Sequence, residues 1–245
     1  MTPISKISKK VGAELIAEFL LAIGVQRFYG LQGGHIQPIW DAITRRGGTV
    51  VDARDERAAV HMAHAEAELT GKMSVVMVTA GPGVTNAVTA VANADKARAP
   101  VLVLGGAVPR PQAGAGALQE MRQIDLMRPI TRAAVSVWNA QRLEYELSAA
   151  VSAAVGESGA PGPVFFEIPT DVLRELVTYI PISKDVCSLS PSRNKLPDSE
   201  DVAHAVDMLW SASRILVISG RGARGAGPGL RKLLDATGGL YLDTQ

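Results

Sequence analysis

The sequence is short of cysteine, of aromatic residues, of long apolar runs and of any excess of one charge, and each shortage excludes a class of protein. Cys187 is the one cysteine in 245 residues. No internal disulfide framework is therefore available, and a thiol among Pro and Ser with no histidine nearby reads as inert. Phe, Trp and Tyr make up only 4% of the chain, so a core must be closed with Ala, Val, Leu and Gly, which favours close helix-to-sheet packing. Lys and Arg number 25 against 24 Asp and Glu. That balance provides neither the basic footprint of a nucleic-acid binder nor a polybasic arm for a membrane, and small molecules become the expected partners. The opening MTPISKISKK is polar, and the apolar stretch over residues 11–23 is broken by Gly12, Glu14 and Glu18. Neither a signal peptide nor a membrane span fits, so a soluble, cytoplasmic protein is expected.

What is present is an alternation of apolar strands and small-residue helices. Leu15, Ile16, Phe19 and Leu20 follow helical spacing up to Gly24, after which VQRFYG reads as a strand opening into the loop LQGGH. Residues 36–44 read as a helix, TVVDA as a strand, residues 56–70 as an alanine-rich helix stopped by Gly71, and SVVMVT as a strand. The loop AGPGVTN, a helix over 87–97 and the strand PVLVLGG follow. A long loop runs through Gln119, then a strand near 133–137, a helix over 141–155 and the strand PVFFEIP. Near-continuous apolar strands separated by helices predict an α/β fold: a parallel, doubly wound sheet with helices on both faces.

Residues 176–197, rich in Pro, Ser, Lys and Asp, read as a linker. Beyond it, Asp198 or Ser199 caps a helix reaching Trp210, RILVISG is a strand, GRGARGAGPG a loop, 230–237 a helix and LYLDT a strand. Two strands and two helices leave sheet edges and faces uncovered, so 198–245 reads as part of a second α/β domain, cut short or completed by another chain.

Open α/β sheets bind ligands at the carboxyl ends of their strands, and four such loops carry unusual residues: LQGGH, DARDE, TAGPGVTN and GGAVPRPQAGAGALQE. In VVDARDERAA, five charges (Asp52, Arg54, Asp55, Glu56, Arg57) stand where a buried strand meets a small-residue helix. Taken singly, each loop has a bland account: glycines for turns, Asn86 for a cap, Glu56 for the favourable first turn of a helix.

Together the segments GVQRFYGLQGGH, DARDERAAVHMAHAEAELTGK, VVMVTAGPGVTNAVTAVANADKARAPVLVLGG, GALQE and GPVFFEIPTDV resemble the pyrimidine-binding domain of thiamine diphosphate-dependent enzymes. Within them they are most similar to the acetolactate synthase and 2-hydroxyacyl-CoA lyase group. The likeness runs over residues 1–175, and the GGH loop with His35 favours the acyl-CoA lyase branch, His35 then facing substrate. The resemblance implies that Glu56 is the catalytic carboxylate, hydrogen-bonding a ring nitrogen of the aminopyrimidine so that the cofactor can attack a carbonyl. It implies that Thr79, Pro82, Asn86 and Gln119 line the pyrimidine side, and that Gly33 and Gly34 allow close backbone approach to the cofactor of a partner subunit. The reaction implied makes or breaks a carbon–carbon bond beside a carbonyl, on a 2-oxo acid or a 2-hydroxyacyl-CoA, in a homo- or hetero-oligomer.

The chain departs from that family in two ways. His, Glu, Gln at the helix start is replaced by Asp55, Glu56, Arg57, and the Gly-Asp-Gly segment that holds Mg2+ and the diphosphate has no counterpart. The chain alone is therefore expected to be inactive, with Mg2+ held by another domain or chain. Gly220, Gly222 and Gly225 form G-x-G-x-x-G between a strand and a helix, a place where FAD or CoA contacts some family members. The same pattern supports an alternative, a Rossmann-type nucleotide binder; another is a non-catalytic or regulatory relative. His61 and His64 share a helical face, but no third ligand is specified and no metal site is expected.

Overall fold

The computed structural model describes residues 8–157, 159–179 and 197–244. Cys187 and residues 180–196 of the expected linker lie outside them. The chain divides into two units, Met1–Ser192 and Arg193–Gln245.

In the first unit a helix α1 (Gly12–Ala22) precedes strand β2 (Arg27–Gly30), with β1 (Ser8–Val11) before it. Helix α2 (Gln37–Arg45), strand β3 (Thr49–Asp52), helix α3 (Glu56–Thr70), strand β4 (Ser74–Val78), helix α4 (Pro82–Lys96) and strand β5 (Val101–Ala107) follow. Then come α5 (Gln123–Met127), β6 (Ala133–Ser136), α6 (Leu143–Val155), β7 (Val164–Pro169), α7 (Thr170–Arg174) and β8 (Leu176–Tyr179). Six strands form one sheet in the order β3-β2-β4-β5-β7-β6, parallel at every pairing.

Period-two alternation sends alternate strand side chains to opposite faces. Phe28, Val75, Met77, Leu102, Leu104 and Phe166 join one core with residues of α1, α2 and α6. Tyr29, Val76, Val78, Val101, Val103 and Phe165 join another with α3 and α4. On this second face the helices meet the sheet through alanines, Ala59, Ala63, Ala87, Ala90 and Ala94, all fully buried. Small side chains there let the backbones approach closely, which the scarcity of aromatics anticipates.

Four elements escaped the sequence reading, among them β1 in the polar opening stretch and α7 directly after β7. Leu176–Tyr179, assigned to the linker, is a strand that pairs antiparallel with β1, and Val177 and Tyr179 are buried. The long loop after β5 also contains α5. Other ends move by a few residues: α6 starts at Leu143 after a short 3-10 turn.

The second unit holds α8 (Ser199–Ser211), β9 (Leu216–Ser219), α9 (Gly227–Thr237) and β10 (Leu240–Asp243). Asp198 rather than Ser199 is the cap of α8, accepting from Glu200 N at 2.8 Å. Helix α9 begins three residues before the expected start, with Pro228 in its first turn. The two strands pair in parallel, and Leu216, Ile218, Leu240 and Leu242 remain exposed. No helix among the described residues is long and apolar enough to cross a membrane.

Candidate active site

The chain leaves β2 for β3 on one side and returns to β4 on the other. The helices that follow diverge in the same way, α2 to one face and α4 to the other. Diverging connections open a crevice at the carboxyl ends of β2 and β4, where open α/β sheets take ligands. The loops LQGGH and TAGPG border it.

Glu56 enters this region because α3 starts at the end of β3. Asp55 is the N-cap, its Oδ1 accepting from Arg57 N at 2.8 Å, and the Arg57 guanidinium grips the same carboxylate from Nε at 3.0 Å and Nη2 at 2.8 Å. The Arg57 side chain above all, and then the backbone N–H it caps, hold the Asp55 carboxyl well below the usual aspartate range. With Asp55 and Arg57 paired to each other, and Asp52 and Arg54 exposed, Glu56 alone among the five charges turns inward, only 8% exposed. A charge run at a strand end is thus one buried carboxylate flanked by its solvated cap.

Glu56 Oε2 accepts from Asn86 Nδ2 at 2.7 Å. Asn86 reaches it because it lies one turn into α4, whose start packs beside that of α3. Gly83 faces the other oxygen: a Cβ there would lie 3.3 Å from Glu56 Oε1 and 2.9 Å from Thr79 Cγ2. Thr79 in turn touches Gly33, where a Cβ would lie 2.5 Å from Thr79 Cβ. Gly33, Thr79, Gly83, Glu56 and Asn86 therefore form one contiguous set. Gly81 joins Gln119 to it. Its φ of +63° suits glycine, and a Cβ would strike Gln119 O at 2.5 Å. Gln119 itself takes φ +66°. Pro82 and Gly34 are exposed at the rim. His35 is half-buried and packs on the end of β5, so close that a Cβ on Gly106 would lie 2.6 Å from its own Cβ.

Two buried polar atoms in this neighbourhood, Thr79 Oγ1 and His35 Nδ1, have no hydrogen-bond partner among the described residues. Buried polar atoms are seldom left in this state, and each is open to a bond from a ligand or an ordered water.

The loop after β5 is shaped by Glu120. It accepts from the backbone N–H of Gly114, and from Gly116 at 2.9 Å and Ala117 at 3.1 Å. These bonds, the one from Gly114 first, hold its carboxyl below the usual glutamate range. Beside this loop a cavity of about 90 Å³ is lined by Gln119, Met121, Gln123, Trp138 and Glu167. Gln123 and Glu167, both buried, were not singled out from the sequence. Gln123 carried no signal there. Glu167 did: a carboxylate inside the apolar strand PVFFEIP requires a buried partner.

Elsewhere, His64 Nε2 lies 3.7 Å from Glu68 Oε1 on α3, and no group of three metal-ligating side chains occurs among the described residues. Gly220, Gly222 and Gly225 fall between β9 and α9.

Comparison with known proteins gives this geometry its relatives. The family model described as thiamine pyrophosphate enzyme, N-terminal TPP binding domain, matches residues 10–126. The 2-hydroxyacyl-CoA lyase 2 of Homo sapiens is 43% identical over 190 residues, covering 78% of this chain and 29% of that protein. That of Caenorhabditis elegans is 36% identical over 248 residues, 89% of this chain and 38% of that one. The acetolactate synthase large subunit of Parasynechococcus marenigrum is 37% identical over 221 residues, 86% of this chain and 35% of that one. The chain thus spans about a third of the length of these relatives. None of these likenesses supports a separate Rossmann-type nucleotide binder or a purely regulatory protein. With residues 10–126 matched and a parallel sheet carrying the loops described, this part of the chain is an N-terminal domain of the thiamine pyrophosphate-dependent enzyme family.

Proposed function

We propose that this chain supplies the pyrimidine side of a thiamine diphosphate site in a 2-hydroxyacyl-CoA lyase-like or acetolactate synthase-like enzyme. The observation that carries the reading is the buried Glu56 carboxylate, bonded by Asn86 and set beside Gly83 and Thr79. The residues fit an aminopyrimidine. Glycines at 33, 81 and 83 let Thr79, Gln119 and Glu56 pack against the backbone where a Cβ would collide, Thr79 Oγ1 offers an unused bond, and Glu56 presents an acceptor able to hold a proton on a ring nitrogen. The diphosphate has no comparable anchor among the described residues, so it and Mg2+ belong to another domain or chain.

When bound, the cofactor supplies a nucleophilic carbon that attacks a carbonyl and then stabilises the charge left by cleavage of a neighbouring bond. This chain's own contribution is narrower. Asn86 fixes the rotamer of Glu56, and α3 presents that carboxylate from its first turn. The carboxylate, only 8% exposed, holds or releases one proton. Asparagine as the bonding partner matters, because it donates without adding charge next to the carboxylate.

Replacing Glu56 with Gln keeps the size and removes the proton exchange. In a complex reconstituted with a diphosphate-binding domain, Glu56→Gln is expected to lower cleavage of a 2-hydroxyacyl-CoA, or decarboxylation of a 2-oxo acid, by roughly 10²- to 10⁴-fold, the usual weight of acid–base catalysis. The far-ultraviolet circular dichroism should be unchanged. Turnover equal to wild type would remove Glu56 from the proposed role.

A further inference from the structure

Behind the Gly81 turn lies a polar network that the proposed chemistry does not use. Gln123 Oε1 accepts from Gly81 N at 2.6 Å, while Nε2 donates to Gly106 O at 3.0 Å and to Glu167 Oε2 at 2.6 Å. Glu167 Oε1 accepts from Ser136 Oγ at 2.6 Å. Both hydrogens of the Gln123 amide are thereby used, and its oxygen cannot exchange places with its nitrogen without losing all three bonds. One side chain ties together the loop after β4, the end of β5 and the end of β7, and through Glu167 it reaches β6. Gln123 is 3% exposed and Glu167 8%, so water cannot substitute for a lost partner without entering the core.

We infer that Gln123, locked in orientation by Glu167 and Ser136, is a positioning residue that sets the Gly81–Gly83 turn against Glu56 and Asn86. The turn needs such a hold. Gly81 has φ +63° and ψ −110°, and glycine visits many other conformations at little cost. Its N–H lies at the head of α4, one of the donors a helix leaves without an internal partner. With that bond in place, Gly83 and Asn86 stand at fixed distances from the carboxylate. Glu167 acts at one remove: it touches neither Gly81 nor Glu56 in this network, and its effect passes through the Gln123 amide. The inference rests on the proposed pyrimidine site only for what the turn is used for; the hold itself can be tested without any ligand.

The experiment is amide hydrogen exchange by nuclear magnetic resonance on the full chain labelled with ¹⁵N-glycine, with a second sample reporting the Asn86 side-chain amide. Gly71 N, bonded to Ala67 O at the end of α3, serves as the internal reference. Gln123→Leu is expected to raise Gly81 exchange relative to Gly71 by roughly 10- to 100-fold, the scale of one buried hydrogen bond, and to shift the Asn86 resonance. Glu167→Gln, which can still accept from Gln123 and bond Ser136, should leave both at their wild-type values. Should Gln123→Leu fail to fold, Glu167→Ala decides, because it keeps the bond to Gly81 and removes only the lock; it should give a smaller change of the same sign. Unchanged Gly81 protection in the variant that folds would overturn the inference, as would accelerated exchange with an unmoved Asn86 resonance. Adding the pyrimidine alcohol 4-amino-5-hydroxymethyl-2-methylpyrimidine and thiamine diphosphate with Mg2+ to the wild-type chain, with and without a diphosphate-binding domain, separates the two ideas. Absence of any response there counts against the proposed function, while the exchange data still decide the hold.

Discussion

At the scale of single residues, the candidate site is made by glycines as much as by charges. Gly81 sits in a left-handed conformation with Gln119 O at 2.5 Å from any added Cβ, whereas Gly34 has nothing within 4 Å and no positive φ. Gly81→Ala is therefore expected to destabilise the fold by about 1–3 kcal/mol, and Gly34→Ala to stay within about 0.5 kcal/mol. Thermal unfolding of both checks this; equal melting points would show the turn to be more compliant than its contacts imply. Glu120 makes a second prediction. Its folded pKa is lowered by backbone N–H groups, so its contribution is full above the unfolded value of about 4.3 and is lost as pH falls through the folded one. Protection of the Gly114 and Gly116 amides, taken relative to their intrinsic exchange rates, should thus fall as pH drops below that unfolded value, and Glu120→Gln should show the low protection already at neutral pH. A flat profile in wild type would remove Glu120 as the organiser of this loop. Of the candidate site, Glu56, Asn86 and Gly33 were singled out in the sequence by their strand-end loops and by the family resemblance, and the structure sets them in one contiguous group; Gly81 and Gly83 stood there only as turn glycines. Gln123 was not singled out, since a glutamine in a polar loop looks solvated until the sheet closes around it.

At the scale of elements, the parallel sheet was legible for a physical reason: strands covered on both faces must be apolar at nearly every position, as in SVVMV and VLVLGGA. The β1–β8 pair was not, because SKKV carries one apolar residue and its only exposed–buried alternation, in Leu176–Tyr179, lies on the partner strand. What holds this pair is Val177 and Tyr179 in the core, with the Tyr179 hydroxyl donating to Glu18 Oε1 at 3.0 Å and Lys10 both paired with Glu18 and placed 5.2 Å from the Tyr179 ring. Burial of two such side chains is worth about 1.5–3 kcal/mol each, well above the ion pair, which is partly exposed and screened. A chain ending after Glu175 should consequently melt several degrees below one ending after Tyr179. Equal melting temperatures would make the clip ornamental.

At the scale of the whole molecule, the chain spans about a third of its relatives' length and, on the proposed function, carries one side of a site. The proposed pyrimidine side has a buried carboxylate, its bonding partner and glycine turns, and the described residues hold no group of three His, Cys, Asp or Glu placed to bind a metal ion. Affinity for the cofactor should then come chiefly from elsewhere, because the diphosphate and its cation carry most of the charge to be compensated. Calorimetric titration of thiamine diphosphate with Mg2+, into this chain alone and into its mixture with a polypeptide bearing a diphosphate-binding domain, tests that division most directly. Binding in the mixture at least about 100-fold tighter than to the chain alone is the predicted result, a coupling within the range one completed site supplies to another. Tight binding to the chain by itself, or none in the mixture, would contradict the account.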